Sequence, residues 1–304
     1  MFETLIDKLK NDTYITLETT PGHSPLFSPI VEKIADLGLD KLVDGFSTTD
    51  NPLAKLKYNS LFAAKILQDR FSKPVIATMS MRDRNKIALQ SDLLGANEVD
   101  IRMILALTGD PATISDQPRA KGVFEADSTL LLEIISAFNH GMDYSGKPFV
   151  YEPKELYPFA VVNSFAKNPK ILKKKIQKKI KHGAIGIITQ PVYSVENAKQ
   201  LLALRDEANA ECCSEDKKGE LILGLFPITK LRTAQFLSAH VPGIHVPKEW
   251  IEALRDANED GGAEQEYKVG FELSKKLFDE IKKLHPKIHL MTANQFQIAH
   301  DILI

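Results

Sequence analysis

Short apolar runs alternate with stretches of helical periodicity along almost the whole chain. Eight runs have the length and the turn-forming ends that are typical of buried strands. The predicted strands are Tyr14 to Thr19, Leu42 to Thr49, Lys73 to Ser80, the apolar part of Ile101 to Pro111, Tyr157 to Asn163, Gly183 to Gln190, Glu220 to Phe226 and Lys287 to Thr292.

The stretches between these strands are amphipathic and carry helix-capping residues at their ends. A further segment, Ala112 to Ala126, is rich in Pro, Gly and charge, and its length predicts a functional loop over the mouth of a barrel. The predicted helices are Met1 to Lys10, Ser28 to Leu37 with Ser28 as N-cap, Leu53 to Phe71, a helix that the run Arg82 to Asn85 opens and that ends near Gly95, Asp127 to His140, Lys170 to His182, Val195 to Ala208, Leu231 to His240, Lys248 to Ala257, Glu264 to Leu284 and Asn294 to Leu303.

Strands that alternate with helices favour a parallel sheet, and 304 residues suit one (β/α)₈ TIM barrel spanning residues 1–304. An open, doubly wound sheet is the alternative architecture. The two differ at the polar residues that end the strands, because these converge on one mouth only if the sheet closes. Those residues are Glu18, Thr49, Asp110, Asn163 and Gln190.

Four of these residues also have a simpler interpretation. Asp110 suits a turn cap, Glu18 a solvated strand end, and Asn163 a turn former. The amide of Gln190 could either satisfy backbone at its turn or bond a heterocycle such as a pterin or nicotinamide. The charged run Arg82 to Asn85 fits phosphate or carboxylate recognition as well as it fits a salt-bridged loop.

Charge narrows the class of partner. The 39 basic and 40 acidic side chains leave a net charge of -1, which favours a small-molecule ligand over nucleic acid or an anionic membrane. The lysine-rich helix from Lys170 lacks aromatic stacking partners and fits a solvated outer face. No apolar run approaches the ~20 residues that span a bilayer, so we expect a cytoplasmic protein without membrane contact. We also expect a homo-oligomer.

The cysteines suggest no chemistry. Cys212 and Cys213 are adjacent in a polar stretch, which is neither a disulfide framework nor the spacing of a metal site. The sequence therefore predicts two incidental exposed thiols and no metal.

A set of motifs, read in order, resembles the methylenetetrahydrofolate reductase family over nearly the whole chain. Each motif alone is weak, but their order and spacing together are specific. No GxGxxG fingerprint occurs, which fits a family that holds its flavin at a barrel mouth. The motifs are ITLETTP with Glu18, STTDNP with Thr49, SMRDRNKIALQSDLLGA, LALTGDP with Asp110, KGVFEADS, GAIGIITQPVY with Gln190, and LGLFPI before VPGIHVP.

The resemblance implies hydride transfer from NADH or NADPH to FAD, and then to 5,10-methylenetetrahydrofolate, giving 5-methyltetrahydrofolate. Glu18 matches the general acid of the family, which supplies the proton that opens the five-membered ring of the folate. Asp110 matches an aspartate beside flavin and pterin. Gln190 matches an amide that contacts the pterin and, in turn, the nicotinamide.

The resemblance also implies which residues line the cofactor. Thr49, Gly109, Asp110 and Lys179 match FAD positions, with Lys179 a candidate for the phosphates, and Asn163 holds a corresponding strand-end place. This chain departs from well-known members at three further positions, where Thr78, Thr108 and Gln295 replace a histidine and two arginines. The resemblance also assigns Thr78 and Thr108 to the cofactor site. Arg82 or Arg84 is expected to offer the missing charge.

The threonine substitutions motivate an alternative function. In that hypothesis the barrel keeps pterin recognition, binds no flavin, and serves as a partner subunit or a docking domain for a methyl carrier. Intact Glu18, Asp110 and Gln190 favour the enzyme, since a mere binder needs no general acid.

Overall fold

Eight parallel strands close into one barrel in the computed structural model, which describes residues 1–214 and 217–304. Each strand pairs with its neighbours in sequence, and β8 pairs with β1 through Tyr14 opposite Lys287. This closure confirms the predicted (β/α)₈ barrel over the open sheet. The strands are β1 (Tyr14–Thr19), β2 (Gly45–Thr48), β3 (Val75–Ser80), β4 (Met103–Leu107), β5 (Tyr157–Val162), β6 (Gly186–Pro191), β7 (Glu220–Leu225) and β8 (Lys287–Leu290).

Helices surround the barrel, and single 3₁₀ turns lie at Leu39–Lys41, Pro52–Ala54 and Ala112–Ile114. No helix among the described residues is both long and apolar enough to cross a membrane. The helices are α1 (Phe2–Asn11), α2 (Ser28–Asp36), α3 (Ser60–Phe71), α4 (Lys86–Glu98), α5 (Ser128–Asn139), α6 (Pro169–Lys181), α7 (Val195–Cys212), α8 (Leu231–His240), α9 (Lys248–Leu284) and α10 (Phe296–Leu303).

Two apolar layers hold the barrel together. The outer layer packs the strands against the ring of helices. The inner layer fills the lower barrel, and α1 contributes Phe2, Leu5 and Leu9 to it, so α1 closes the N-terminal end of the barrel. Tyr14 belongs to this inner layer, and two and four residues further along β1 the same face carries Thr16 and Glu18. The barrel interior therefore changes from apolar to polar toward the carboxyl ends of the strands.

Several predicted helix boundaries are wrong. The helix predicted to begin at Leu53 begins at Ser60, because the side chain of Asn59 accepts hydrogen bonds from the Leu61 and Phe62 amides and caps α3 there. Ser28 is the first residue of α2 and not its N-cap, a position that Phe27 holds without a side-chain bond. The helix predicted to end near Gly95 continues to Glu98.

The two cysteines also differ from the prediction. Cys212 is the last residue of α7, and its side chain forms a disulfide with that of Cys213. Both are half-buried against the outer apolar layer, so they are not exposed free thiols. Adjacent cysteines match no disulfide framework, which is why the sequence pattern missed the pairing.

Two predicted helices after β7 are continuous except at one residue. The predicted segments 248–257 and 264–284 both belong to α9, and Gly262 breaks it with φ 68° and ψ -158°. A glycine suits this break because a side chain rarely adopts a positive φ.

Candidate functional site at the barrel mouth

Glu18 lies at the mouth of the barrel beside a buried histidine. Its Oε2 is 3.9 Å from Nε2 of His289, whose side chain is 3% exposed. The histidine Nδ1 is 2.7 Å from the hydroxyl of Thr16, and Nε2 is 3.4 Å from the hydroxyl of Ser47. A hydroxyl both donates and accepts, so Thr16 satisfies either tautomer of the imidazole. Strands β1, β2 and β8 thus assemble one carboxylate, one imidazole and two hydroxyls.

The ends of β2 and β3 are tied by an ion pair. Asp50 accepts from the Ser80 amide at 2.9 Å and from Arg84 Nη1 at 2.6 Å, and both side chains are almost fully buried. Arg84 also donates to Asp92 at 2.7 Å. Arg84 therefore has a structural role, in which it links Asp50 to Asp92.

Arg82 is engaged as well. It donates to the Asp83 carboxylate at 2.8 and 2.6 Å and to the Asn51 carbonyl at 3.0 Å. The charged run Arg82 to Asn85 had two interpretations, a ligand-recognition site and a salt-bridged loop. The structure shows the salt-bridged loop. Aspartates already neutralise both guanidinium groups, so the charge that Arg82 or Arg84 is expected to offer at the mouth is offset within the protein.

The carboxylate of Asp110 holds the turn that follows β2. Its Oδ2 accepts from the Leu53 amide at 2.7 Å. That turn is strained, since Asn51, Leu53 and Ala54 all have left-handed φ angles of 45°, 56° and 56°. Asp110 is half-buried and therefore retains access to the mouth.

Gly109 lets the chain pass close to β3. Its φ is 94°, and a Cβ built there would lie 2.9 Å from the Cβ of Arg82. Residues after it form the predicted insertion, which lies at the mouth. Val123 donates to the Arg82 carbonyl at 2.7 Å, and the Ser115 hydroxyl donates to the Ala54 carbonyl at 2.7 Å.

Lys179 reaches the mouth from α6. Its ammonium bonds the hydroxyl of Ser128, the first residue of α5, and the Ser128 amide donates to the Thr108 hydroxyl at 3.1 Å. Burial lowers the pKa of the Lys179 ammonium, against the attraction of Asp127. Thr108 therefore fixes the start of α5.

The ends of β5 and β6 are covered by the segment after α8. The side chain of Asn163 lies against Gly243, and Ser164 donates to the Pro191 carbonyl at 2.7 Å and the Gly243 carbonyl at 3.2 Å. The register of β6 against β7 shifts between Ile188 and Pro191. Gln190 falls in this irregular part, half-buried, and its amide makes no hydrogen bond to any described residue. The amide is thus available to a ligand.

Three buried hydroxyls at the strand ends find no hydrogen-bond partner among the described residues. They belong to Thr49 after β2, Ser80 at the end of β3 and Thr292 after β8. Buried polar groups are normally satisfied, so these three indicate a ligand or solvent in the mouth. Of the three positions at which this chain departs from well-known family members, Thr78 is buried within β3 and Gln295 is exposed just before α10.

The sequence did not single out His289, Thr16 or Asp50. His289 lies 273 residues from Thr16, and only closure of the barrel between β8 and β1 joins them. The one available signal was a polar residue inside each of two apolar strands. Among the described residues, no group of three or more His, Cys, Asp and Glu side chains could hold a metal ion.

A model of one protein family, described as methylenetetrahydrofolate reductase, matches residues 3–304. The chain belongs to the methylenetetrahydrofolate reductase family. The match extends across the barrel from α1 to α10, so the elements that carry Glu18, Asp110 and Gln190 all lie within it. No curated protein matches the chain by sequence.

Solved structures share the fold at low sequence identity. A protein from Clostridium thermocellum, described as binding two copies of 5-methyl-5,6,7,8-tetrahydrofolic acid, is 15% identical with a TM-score of 0.63, covering 98% of this chain and 97% of that one. DmoA from Hyphomicrobium sulfonivorans is 9% identical with a TM-score of 0.57, at 96% and 86% coverage. A 2,3-dimethylmalate lyase is 13% identical with a TM-score of 0.50, at 98% and 81% coverage. At these identities the likeness concerns the barrel alone.

Proposed function

We propose that this chain reduces 5,10-methylenetetrahydrofolate to 5-methyltetrahydrofolate, using a reduced nicotinamide and FAD. The observation that carries the proposal is the pairing of Glu18 with His289 at the mouth of a barrel whose whole length matches the reductase family. The mouth therefore holds a proton donor where ligands of such barrels bind.

Glu18 acts as the general acid. The folate ring must open to an iminium before it accepts hydride, and a protonated Glu18 gives its proton to a ring nitrogen as the carbon–nitrogen bond breaks. The glutamate side chain is 23% exposed, so it meets ligand while its other side faces the barrel interior. The Nε2 atom of His289 lies 3.9 Å from Glu18 Oε2 and is positioned to stabilise the carboxylate once the proton has left.

The residues of the mouth fit a polar cofactor. FAD would supply the hydride chemistry when bound. The unpartnered hydroxyls of Thr49, Ser80 and Thr292 would hydrogen-bond it. Gly109 keeps the turn after β4 close to Ser80 and Arg82 at the end of β3. Lys179 is the candidate for its phosphates, in exchange for the bond to Ser128. Thr108 accepts a hydrogen bond from the Ser128 amide, so it helps to position Lys179 through Ser128.

Asp110 and Gln190 are the residues that would interact with the folate and the nicotinamide. The free amide of Gln190 offers one donor and one acceptor side to a pterin and, in turn, to the nicotinamide. Asp110 places a negative charge near the same ligands and favours a cationic folate intermediate. Asn163, beside Gly243, closes the opposite rim.

A second candidate is a folate-binding barrel without flavin that serves a partner protein or a methyl carrier. It is supported by Arg82 and Arg84, because aspartates neutralise both guanidinium groups that could otherwise bind the phosphates of FAD. It is also consistent with the Clostridium thermocellum neighbour, which binds a methylated folate. Titrating tetrahydrofolate and FAD separately against the apoprotein distinguishes the two, because this candidate requires folate binding without FAD binding.

Glu18→Gln tests the proposed acid. The amide keeps the size of the side chain but carries no transferable carboxylic proton, so reduction of bound FAD by nicotinamide is spared and reoxidation by methylenetetrahydrofolate is abolished. Stopped-flow absorbance of each half-reaction measures both steps. Glu32→Gln on the exposed face of α2 makes the same charge change away from the mouth and leaves both rates unaltered. Equal losses in the two half-reactions of Glu18→Gln would refute the assigned role.

A further inference from the structure

The outer face of α4 is apolar where an outer helix is normally polar. Ile87 is 78% exposed and Leu94 is 48% exposed. Ser91 and Gly95 are also exposed, and together with Glu98 these residues recur at the spacing of one helical face. The inner face of the same helix packs normally through Leu89 and Leu93. One side of α4 thus builds the barrel, and the other side presents an apolar stripe with small residues in its middle.

Gly95 has no explanation within one copy of the chain. It lies inside the helix, its φ is not positive, and nothing lies within 4 Å of the Cβ that a side chain would add there. Glycine in an exposed helix interior costs about 1 kcal/mol relative to alanine. The outer face of α4 therefore has room at Gly95 for a side chain of another molecule.

The charges at the two ends of α4 oppose its own dipole. Lys86 is in the first turn and the exposed Glu98 is in the last turn, whereas helices favour acids at the start and bases at the end. The Lys86 ammonium is 3.8 Å from Glu125, and Glu98 has no ion pair with a described residue. An antiparallel second α4 would bring each Lys86 close to the Glu98 of the other copy. The pattern that is unfavourable alone becomes complementary in a pair.

We propose that α4 forms the centre of a two-fold symmetric interface between two copies of this chain. With the axis at Ser91, Ile87 of one copy lies over Gly95 of the other, and Leu94 lies over Ala88. A two-fold interface uses the same patch on both copies, and this face is complementary to itself in shape and in charge.

Neighbouring exposed residues extend the surface. Phe62, in the first turn of the adjacent α3, is 67% exposed, and Val99, directly after α4, is 42% exposed. Specific interfaces bury about 1,200–2,000 Å² in total, which is more than one helix pair supplies. We expect Phe62 and Val99 to form the rim of the proposed interface.

Sedimentation velocity over a concentration series tests the interface. The native chain is expected to show a dimer that dissociates on dilution, and Ile87→Lys is expected to weaken the dimer at least about tenfold, since a charge would be buried at its centre. Ile171→Lys is the matched control, because Ile171 is 49% exposed on α6 and lies outside the patch. A chain that stays monomeric at every soluble concentration, or an equal effect of both variants, overturns the proposal.

A charge swap makes the test specific to the antiparallel register. Lys86→Glu and Glu98→Lys each place like charges together and are expected to weaken the dimer by about threefold to tenfold. The double variant restores the pairs and the affinity. Glu98→Lys improves the match to the helix dipole, whereas Lys86→Glu also places a carboxylate beside Glu125. Thermal melts of each variant therefore accompany the sedimentation measurement, so that loss of dimer is not mistaken for unfolding. A double variant as weak as the singles contradicts the proposed register.

Discussion

Gly109 controls how closely the end of β4 approaches β3 at the mouth. Two demands meet at this residue, a φ of 94° and a gap too narrow for a side chain beside Arg82. Gly38 makes only the first demand, with φ 60° and nothing near its Cβ position. The two glycines therefore separate backbone strain from crowding.

Gly109→Ala is expected to lower the free energy of unfolding by about 2–3 kcal/mol, because it adds a clash to the cost of a left-handed residue. Gly38→Ala should cost only about 1 kcal/mol. Urea denaturation followed by circular dichroism compares the two variants. Equal costs would mean that the approach of β4 to β3 is looser than described.

Lys179 illustrates a conflict between stability and binding. Burial lowers the pKa of its ammonium, so the unfolded chain binds the proton more tightly and the charged lysine opposes folding at neutral pH. Lys179→Met is therefore expected to stabilise the apoprotein at neutral pH. The gain should shrink as the pH rises toward 10.5, because native Lys179 then loses its proton and its burial penalty.

Thermal melts of Lys179→Met across this pH range test the expectation, with Lys175→Met on the exposed side of α6 as control. If Lys179 holds the phosphates of FAD, the same variant also weakens FAD binding. A variant that is less stable than the native chain at neutral pH would show that the bond to Ser128 outweighs the burial of the charge.

Single residues were predictable where they end a strand. Glu18, Asp110 and Gln190 were all identified by a polar residue after an apolar run, and the structure places each of them at the strand ends of the mouth. His289 and Thr16 were not identified, because a polar residue within a strand has no partner in the local sequence. Their contact depends on the closure of the barrel between β8 and β1.

At the scale of elements, the turn between β2 and α3 stands out. Apolar residues of helical spacing run through it, which is why a helix from Leu53 was predicted. The cap at Asn59 starts the helix later, and the preceding residues form a strained turn that Asp110 fixes through the Leu53 amide. At this turn the capping bonds of Asn59 and the contact of Asp110 with the Leu53 amide outweigh the helix propensity of the sequence.

Leu53→Gly is expected to raise the free energy of unfolding by about 1 kcal/mol, since glycine adopts the left-handed φ without strain and keeps the amide that Asp110 accepts. Leu56 is equally exposed at 51% but has no positive φ, so Leu56→Gly should destabilise the chain. Urea denaturation of both variants decides the matter. A Leu53→Gly variant as unstable as Leu56→Gly would contradict the strained turn.

At the scale of the whole molecule, the strand–helix alternation was sufficient to predict the barrel, because each strand pairs with its sequence neighbours and the apolar pattern buries both of its faces. The proposed assembly through α4 lay outside the reach of the pattern. The apolar pattern of α4 does not distinguish its inner face from its outer face, and only the structure shows that Ile87 and Leu94 are exposed.

The absorbance spectrum of the purified protein tests the central claim most directly. We predict a yellow protein whose flavin band bleaches under anaerobic addition of reduced nicotinamide and returns on addition of methylenetetrahydrofolate. A colourless protein that cannot be reconstituted with FAD, and that still binds tetrahydrofolate, would contradict it.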